Sequence, residues 1–167
     1  MAVSPALLSS ERMDWQTPDN VLGLVRDVFD GVIHLDPCTT DENPTRAMYY
    51  YTTEMDGMSR PWAYRTIFVN PPYGREIGMW IRRCNALYRA DASGETIALV
   101  PARTDAGWWQ GHAAYADRIC FWRGRLVFRG APSSAPFPSA LLYWGTRSSK
   151  FEWVMEPHGW IVRGKGK

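Results

Sequence analysis

The chain lacks the features that mark secreted, membrane-spanning or zinc-binding proteins. Its three cysteines, Cys38, Cys84 and Cys120, are far apart, so their spacing indicates neither a disulfide framework nor a zinc site. No apolar run approaches the roughly 20 residues that a membrane-spanning helix needs. The start of the chain has no basic stretch ahead of an apolar core, which argues against secretion. We therefore expect a cytoplasmic protein with reduced cysteines and with neither a metal centre nor a membrane anchor.

The chain also carries little net charge. The net charge is +2 and the pI is about 8.5, which permits contact with nucleic acid without requiring it. Hydrophobic residues make up 46% and charged residues 22% of the 167 residues, as in one soluble domain with a real core. We predict a flexible tail over 1–12, a single domain over 13–162 and a basic, disordered tail over 163–167.

Hydrophobic periodicity predicts strands that alternate with helices. Helices are predicted at 18–29, 77–88 and 105–115, and strands at 32–35, 47–52, 66–69, 96–100, 118–122, 125–128 and 140–144. Arg123-Gly124 would join two of these strands as a hairpin. The order predicts a single-domain α/β fold with a mostly parallel, Rossmann-like sheet and an antiparallel hairpin at its C-terminal edge. Only about 30 residues separate Asp36 from Thr66, so we expect a helix or a strand to be missing there.

The tetrapeptide Asn70-Pro71-Pro72-Tyr73 is the most informative segment. It directly follows the buried strand predicted at 66–69, and its prolines end that strand because neither has an N–H to donate. Open α/β sheets bind ligands at the carboxyl ends of their strands. The segment therefore indicates a stiff loop at a ligand-binding edge, although a Pro-rich turn capped by Asn70 would have the same composition.

These four residues suit the binding of a planar amino group. The side-chain oxygen of Asn70 and the backbone carbonyl of Pro71 can each accept a hydrogen bond from an –NH2 group. Two such bonds would make the nitrogen a better nucleophile. The Tyr73 ring can stack on a flat base, which contributes about 1–3 kcal/mol. The tetrapeptide by itself therefore predicts chemistry on an amino group and leaves the substrate unnamed.

Other motifs extend this pattern along the chain. In order they are Trp15-Gln16-Thr17-Pro18, Leu35-Asp36-Pro37-Cys38, Asp56-Gly57, Trp62, the Asn70–Tyr73 tetrapeptide, Pro101-Ala102-Arg103-Thr104 and Gly124-Arg125-Leu126-Val127-Phe128. With them the chain, from about Met13 to about Gly145, resembles the small phage-type DNA N-6-adenine methyltransferases. The resemblance implies S-adenosyl-L-methionine as cofactor, double-stranded DNA as substrate, and a bacterial or phage-infected cell as the setting.

The resemblance also implies roles for individual residues. Asn70, Pro71, Pro72 and Tyr73 would be catalytic and would hold an adenine that is flipped out of the duplex. The residues expected at the cofactor are Trp15, Thr17, Pro18, Asp36, Pro37, Cys38 and Asp56. The residues expected at DNA are Arg103, Thr104, Arg123 and Arg125. A homodimer is one arrangement that would let so small an enzyme cover its duplex.

Several of these residues have simpler explanations that the sequence leaves open. Thr17 is also placed to cap the first helix, with a proline at the first helical position. Asp36 is equally explained as a turn residue, because aspartate side chains often hydrogen-bond to the backbone in turns. Glu54 would serve as well as Asp56 as the acid for ribose hydroxyls, and either is equally a solvated loop acid. Any single arginine is more simply a solubilising charge.

The substrate has alternatives as well. Cytosine N4 presents the same kind of amino group, although serine is more usual than Asn70 at the first motif position of those enzymes. Protein glutamine methylation also uses such a loop. Thr39-Thr40 stand where a cofactor-binding loop would have a pair of glycines. These two threonines leave open the alternative that the chain is a non-catalytic nucleic-acid-binding protein with a decayed enzyme fold.

Overall fold

A computed structural model describes residues 15–166, so the predicted tail over 1–12 lies outside the described part of the chain. The helices are α1 (Asp19–Val28), α2 (Ile77–Arg89), α3 (Gly107–Gly111) and α4 (Ser148–Met155). The strands are β1 (Leu35–Asp36), β2 (Tyr49–Tyr50), β3 (Thr66–Val69), β4 (Glu95–Pro101), β5 (Arg118–Trp122), β6 (Ser139–Trp144) and β7 (Gly159–Arg163). Short 3-10 turns lie at Gly57–Ser59, Ala113–Tyr115 and Glu156–His158.

The seven strands form one sheet in the order β2-β1-β3-β4-β6-β5-β7. Neighbours from β2 to β4 run parallel. The remaining pairs, β4 with β6, β6 with β5 and β5 with β7, are antiparallel. The predicted fold class is confirmed, because this is a mixed α/β sheet of the Rossmann-like kind with its antiparallel strands at the C-terminal edge.

Helices cover both faces of the sheet. Every residue of β3, β4 and β6 is buried, as expected of strands with apolar neighbours on both sides. Helix α1 packs against α4, and α2 packs against α3. Apolar residues spaced three and four apart face the core from each helix, such as Val21 and Val25 in α1 and Ile77 and Ile81 in α2. This core holds the strand ends in fixed positions.

The chain reverses its direction across the sheet between β1 and β3. From β1 it adds β2 on one side, and it then returns to add β3 on the other side. Such a topological switch point leaves a crevice at the carboxyl ends of the two strands. The passage between them, residues 37–65, is described throughout and contains β2 and one 3-10 turn but no α-helix. The element missing from the shortened passage is therefore a helix.

The prediction of a hairpin at Arg123-Gly124 is wrong. Residues 125–128 form no strand, and β5 pairs with β6 and β7 instead. The alternation of apolar and polar residues that suggested a strand is real, since Leu126 and Phe128 are buried between exposed neighbours. However, this segment leaves the sheet and meets the beginning of the described chain, where Arg129 N–H donates to the Gln16 carbonyl at 2.9 Å.

Two smaller expectations also differ from the structure. The N-cap of α1 is Pro18 and the helix begins at Asp19, so Thr17 does not cap it. Arg163, which we expected in a disordered tail, is the last residue of β7. Beyond it, Lys165 N–H donates to the Ala114 carbonyl at 2.7 Å. The antiparallel edge thus extends into the basic end of the chain.

A charged network ties α1, β4 and the start of α4 together at the end of the sheet away from the crevice. Glu95, the first residue of β4, accepts hydrogen bonds from the Tyr143 hydroxyl at 2.7 Å and from Arg147 Nε at 2.9 Å. Arg147 also donates to the Val28 carbonyl at 3.0 Å. Losing Arg147 would leave the buried carboxylate of Glu95 without its charged partner. Position and chemistry both mark the network as structural.

The loop after β2 approaches the loop after β1 so closely that only glycine fits. An ideal Cβ atom on Gly57 would lie 1.8 Å from the Pro37 carbonyl oxygen. The Gly57 carbonyl accepts a hydrogen bond from Trp62 Nε1 at 2.8 Å, and the Trp62 ring packs 5.7 Å from that of Trp80 in α2. These contacts tie the loop after β2 to α2 beside the crevice.

Replacing Gly57 by alanine should therefore lower the free energy of unfolding by about 1–3 kcal/mol, because backbone has to shift to admit the methyl group. Gly23→Ala is the matched control. It lies inside α1 with no atom within 4 Å of the added carbon, and it should raise stability by up to about 1 kcal/mol. Urea denaturation of both variants measures the difference, and a Gly57→Ala protein as stable as the wild type would contradict the close approach.

Candidate functional site

A cleft of about 810 Å³ lies at the switch point, between the loops that follow β1 and β3. Pockets for small molecules and cofactors measure about 300–1,000 Å³. Of the residues that the sequence predicted at a cofactor, the cleft is lined by Trp15, Thr17, Asp36, Pro37, Cys38 and Asp56. Pro18 and the alternative acid Glu54 are described and do not line it. The topology therefore brings together residues that are up to 41 positions apart in the sequence.

Asn70 sits on the rim of this cleft with its amide fixed in one orientation. The amide nitrogen, Nδ2, donates hydrogen bonds to the Trp15 carbonyl oxygen and, at 3.0 Å, to Thr17 Oγ1. The amide oxygen, Oδ1, is buried and has no hydrogen-bond partner among the described residues. An unpaired buried acceptor costs about 1–3 kcal/mol, so folding stability alone does not account for it.

Tyr73 lies behind this rim and is only 9% exposed. Its hydroxyl donates to the Leu99 carbonyl at 3.1 Å, and burial raises the pKa of Tyr73, which keeps that proton in place. Phe128 and Phe137 pack edge-on against its ring, with centroids 6.1 and 5.6 Å away. The Tyr73 ring is therefore anchored at its hydroxyl end and covered by other aromatic rings.

Trp15 completes this aromatic cluster. Its ring centroid lies 5.1 Å from that of Phe128 and 5.4 Å from that of Phe137. The sequence offered Phe128 only as part of a longer motif and gave no role to Phe137, which belongs to the Pro-rich loop before β6. Four rings that are far apart in the sequence cannot be grouped by spacing, and only the fold brings them together.

Asp36, the last residue of β1, is 3% exposed. It lies at the turn after the strand and lines the cleft. Its carboxylate accepts hydrogen bonds from Cys38 N–H at 3.1 Å and from Thr45 Oγ1 at 2.8 Å. Burial raises the pKa of Asp36 to about 6, although these hydrogen bonds oppose the shift. At neutral pH the carboxylate is mainly ionised. Thr45, which the sequence did not single out, also lines the cleft.

Cys38 links the loops on the two sides of the switch point. Its thiol donates to the Asn70 backbone carbonyl at 3.3 Å. Burial raises the pKa of the Cys38 thiol, so it stays protonated and acts as a donor. Thr39 and Thr40 line the cleft where glycines were expected, and the cleft remains open beside them. The missing glycines do not close the site.

The predicted DNA residues lie at the same end of the sheet as Asn70. Arg103 and Thr104 are exposed and follow β4, which runs parallel to β3. Arg123 and Arg125 are exposed and follow β5, whose Phe121 pairs with Ala140 near the start of β6. That start lies opposite the end of β4. All four residues thus project from loops on one end of the sheet.

Within the described part of the chain, no helix is long and apolar enough to cross a membrane. Over the same residues, 15–166, no three His, Cys, Asp or Glu side chains group closely enough to hold a metal ion. All three cysteines are free.

A Rossmann-like sheet, a cleft at its switch point and an Asn-Pro-Pro-Tyr loop on the rim together define a candidate methyltransferase of the class that acts on amino groups. The family model described as DNA N-6-adenine-methyltransferase (Dam) matches residues 5–140, and the chain belongs to that family. Membership implies, in general terms, methylation of adenine N6 in DNA with S-adenosyl-L-methionine as methyl donor. No curated protein matches the chain.

The raised pKa of Asp36 predicts a pH-dependent stability. A carboxyl group whose pKa rises from 3.8 to about 6 on folding stabilises the folded state at low pH and loses that contribution between about pH 4 and pH 6. Asp36→Asn should therefore become more stable than the wild type above pH 6, by at most about 3 kcal/mol, and should show no such gain near pH 4. Urea denaturation at both pH values measures this, and an equal effect at the two would contradict it.

Proposed function

We propose that this protein transfers a methyl group from S-adenosyl-L-methionine to N6 of an adenine that is flipped out of double-stranded DNA into the pocket at Asn70. The observation that carries the proposal is the amide of Asn70, which is held by its nitrogen while its buried oxygen has no partner among residues 15–166. An –NH2 group supplies the donor that this oxygen lacks. The adenine amino group is the donor that the family implies.

The cleft fits the expected methyl donor. Asp36 offers a carboxylate for the amino group of the methionine part, a charge-assisted contact. Asp56, exposed at the mouth of the cleft, offers a second carboxylate for the ribose hydroxyls. Leu22, Met58 and Trp80 supply apolar walls for the adenine ring of the cofactor. When bound, S-adenosyl-L-methionine supplies a methyl group carried on a positively charged sulfur.

The residues of the chain then act by holding the amino group. Asn70 Oδ1 and the Pro71 carbonyl accept its two hydrogen atoms, which turns the nitrogen lone pair towards the cleft. Pro72, which lines the cleft, keeps the loop stiff. Most of the acceleration in such a site comes from orientation and from fixed dipoles. The proton that the amino group loses passes to water.

Stacking of the flipped base on Tyr73 requires a local rearrangement. The Tyr73 ring is covered by Phe128 and Phe137, of which Phe128 is 1% exposed and firmly packed. Phe137 is only partly buried and lies on the loop before β6. We place the base where Phe137 now meets Tyr73, so that one aromatic contact replaces another and the cost of opening the site is partly offset.

Asn70→Ala should remove methyl transfer, with a loss of at least about 10²–10³-fold in rate. The affinity for S-adenosyl-L-methionine should stay within about threefold, since only a rim residue is changed. N6-methyladenine mapping in DNA from cells that express each variant gives the activity, and calorimetry gives cofactor binding. Wild-type protein that binds no cofactor at millimolar concentration would favour the non-catalytic alternative.

Asn85→Ala is the control for this experiment. Asn85 is a buried asparagine in α2 whose amide oxygen also has no partner among the described residues, and it does not line the cleft. It should retain methylation at the wild-type level. If Asn70→Ala stayed active, or if both variants lost activity together, the assignment of Asn70 would be wrong.

The arginines at the sheet end should contribute mainly to electrostatic DNA binding. Arg125→Ala should weaken binding to duplex DNA and should lower the slope of log affinity against log salt by about 1, because one phosphate contact is lost. Arg82→Ala, which removes another exposed charge, in α2, should leave that slope unchanged. Fluorescence anisotropy between about 50 and 200 mM salt measures both, and identical slopes for the two variants would contradict a DNA contact at Arg125.

A further inference from the structure

Thr17 has a definite contact that neither helix capping nor cofactor binding explains. Its hydroxyl oxygen, Oγ1, accepts a hydrogen bond from Asn70 Nδ2 at 3.0 Å, across 53 positions of sequence. Thr17 is 4% exposed and Asn70 is half-buried, so this bond is partly shielded from water. The N-cap of α1 is Pro18, which leaves the Thr17 hydroxyl available for another role.

The contact matters because an amide group has two different ends. The nitrogen of Asn70 can only donate and its oxygen can only accept. The Trp15 carbonyl can only accept, so it selects the nitrogen end, and Thr17 receives a hydrogen bond from the same nitrogen. Both hydrogen atoms of the amide are thereby accepted by the segment over 15–17, and within the described part of the chain the amide oxygen has no hydrogen-bond partner.

The segment over 15–17 is itself held in place. The Trp15 ring packs against Phe128 and Phe137, and the Gln16 carbonyl accepts from Arg129 N–H at 2.9 Å. Thr17 is thus part of a fixed backbone when it meets Asn70. We propose that Thr17 is a positioning residue that, together with the Trp15 carbonyl, orients the Asn70 amide so that its oxygen is the atom presented to the amino group of the substrate.

This inference rests on the proposed function, and its test has one part that does not need activity. Side-chain amide protons of Asn70 should exchange slowly with solvent, and Asn20, exposed in α1, is the internal reference for fast exchange. The Asn70 resonances are identified in a nitrogen-15 NMR spectrum by their loss in Asn70→Ala. In Thr17→Val, a substitution of the same shape, one of the two protons should exchange at least about tenfold faster. Equal exchange of Asn70 and Asn20 in the wild type would overturn the proposal.

The kinetic part uses single turnover at saturating DNA and cofactor. Thr17→Val should reduce the rate constant by about 10–100-fold, while the dissociation constants of S-adenosyl-L-methionine and DNA change by less than about threefold. Thr17→Ser, which restores the hydroxyl, should recover most of the rate. A merely structural role would instead lower stability and both affinities together.

Thr96→Val is the matched control. The Thr96 hydroxyl is buried in β4 without a partner among the described residues, so the same substitution there removes no hydrogen bond and should leave the rate unchanged. If the wild type methylates DNA and Thr17→Val is as fast, the positioning role is wrong and the proposed function stands. If the wild type shows no methylation, the proposed function fails, and the exchange measurement alone decides the orientation of the amide.

Discussion

The pair of hydrogen bonds from the Asn70 amide nitrogen is the interaction on which the rest of the site depends. It joins the loop after β3 to the segment before α1, more than 50 positions away in the sequence. The same segment carries Trp15 into the aromatic cluster around Tyr73. This side chain therefore contacts the segment that carries Trp15 to the Tyr73 ring, while its own amide oxygen has no partner among residues 15–166.

The position of that interaction follows from sheet topology. Because the chain turns back between β1 and β3, these two strands are neighbours whose next strands, β2 and β4, lie on opposite sides of them. Asp36 and Asn70 are the residues at those ends, and the Cys38 thiol bridges the two loops. A buried carboxylate and a buried free acceptor are both costly to maintain. Both groups line the same cleft. This is the pattern expected where a site lowers the folding stability in order to bind a charged cofactor and a polar substrate group.

How far sequence predicts this structure depends on the range of the interactions involved. Strand β3 and helix α2 follow from local periodicity, and the Asn70–Tyr73 loop follows from two prolines after an apolar strand. The prediction of a hairpin at Arg123-Gly124 failed because alternation marks one buried face without saying what covers it, and Leu126 and Phe128 are buried on a segment that forms no strand. The contacts of Thr17 and Phe137 could not be predicted, since each depends on a partner more than 50 positions away.

Burial of Tyr73 changes what its stacking role would require. The sequence suggested a ring open to a base, whereas the structure holds the Tyr73 hydroxyl on the Leu99 carbonyl and covers the ring with Phe137. A base that enters must displace Phe137, which belongs to the connection between β5 and β6 that also carries the exposed Arg125. In the proposed function, the connection between β5 and β6 therefore both contacts DNA and moves when the base pocket opens. Flipping costs a few kcal/mol, and phosphate contacts on that loop are the nearest source of free energy to offset it.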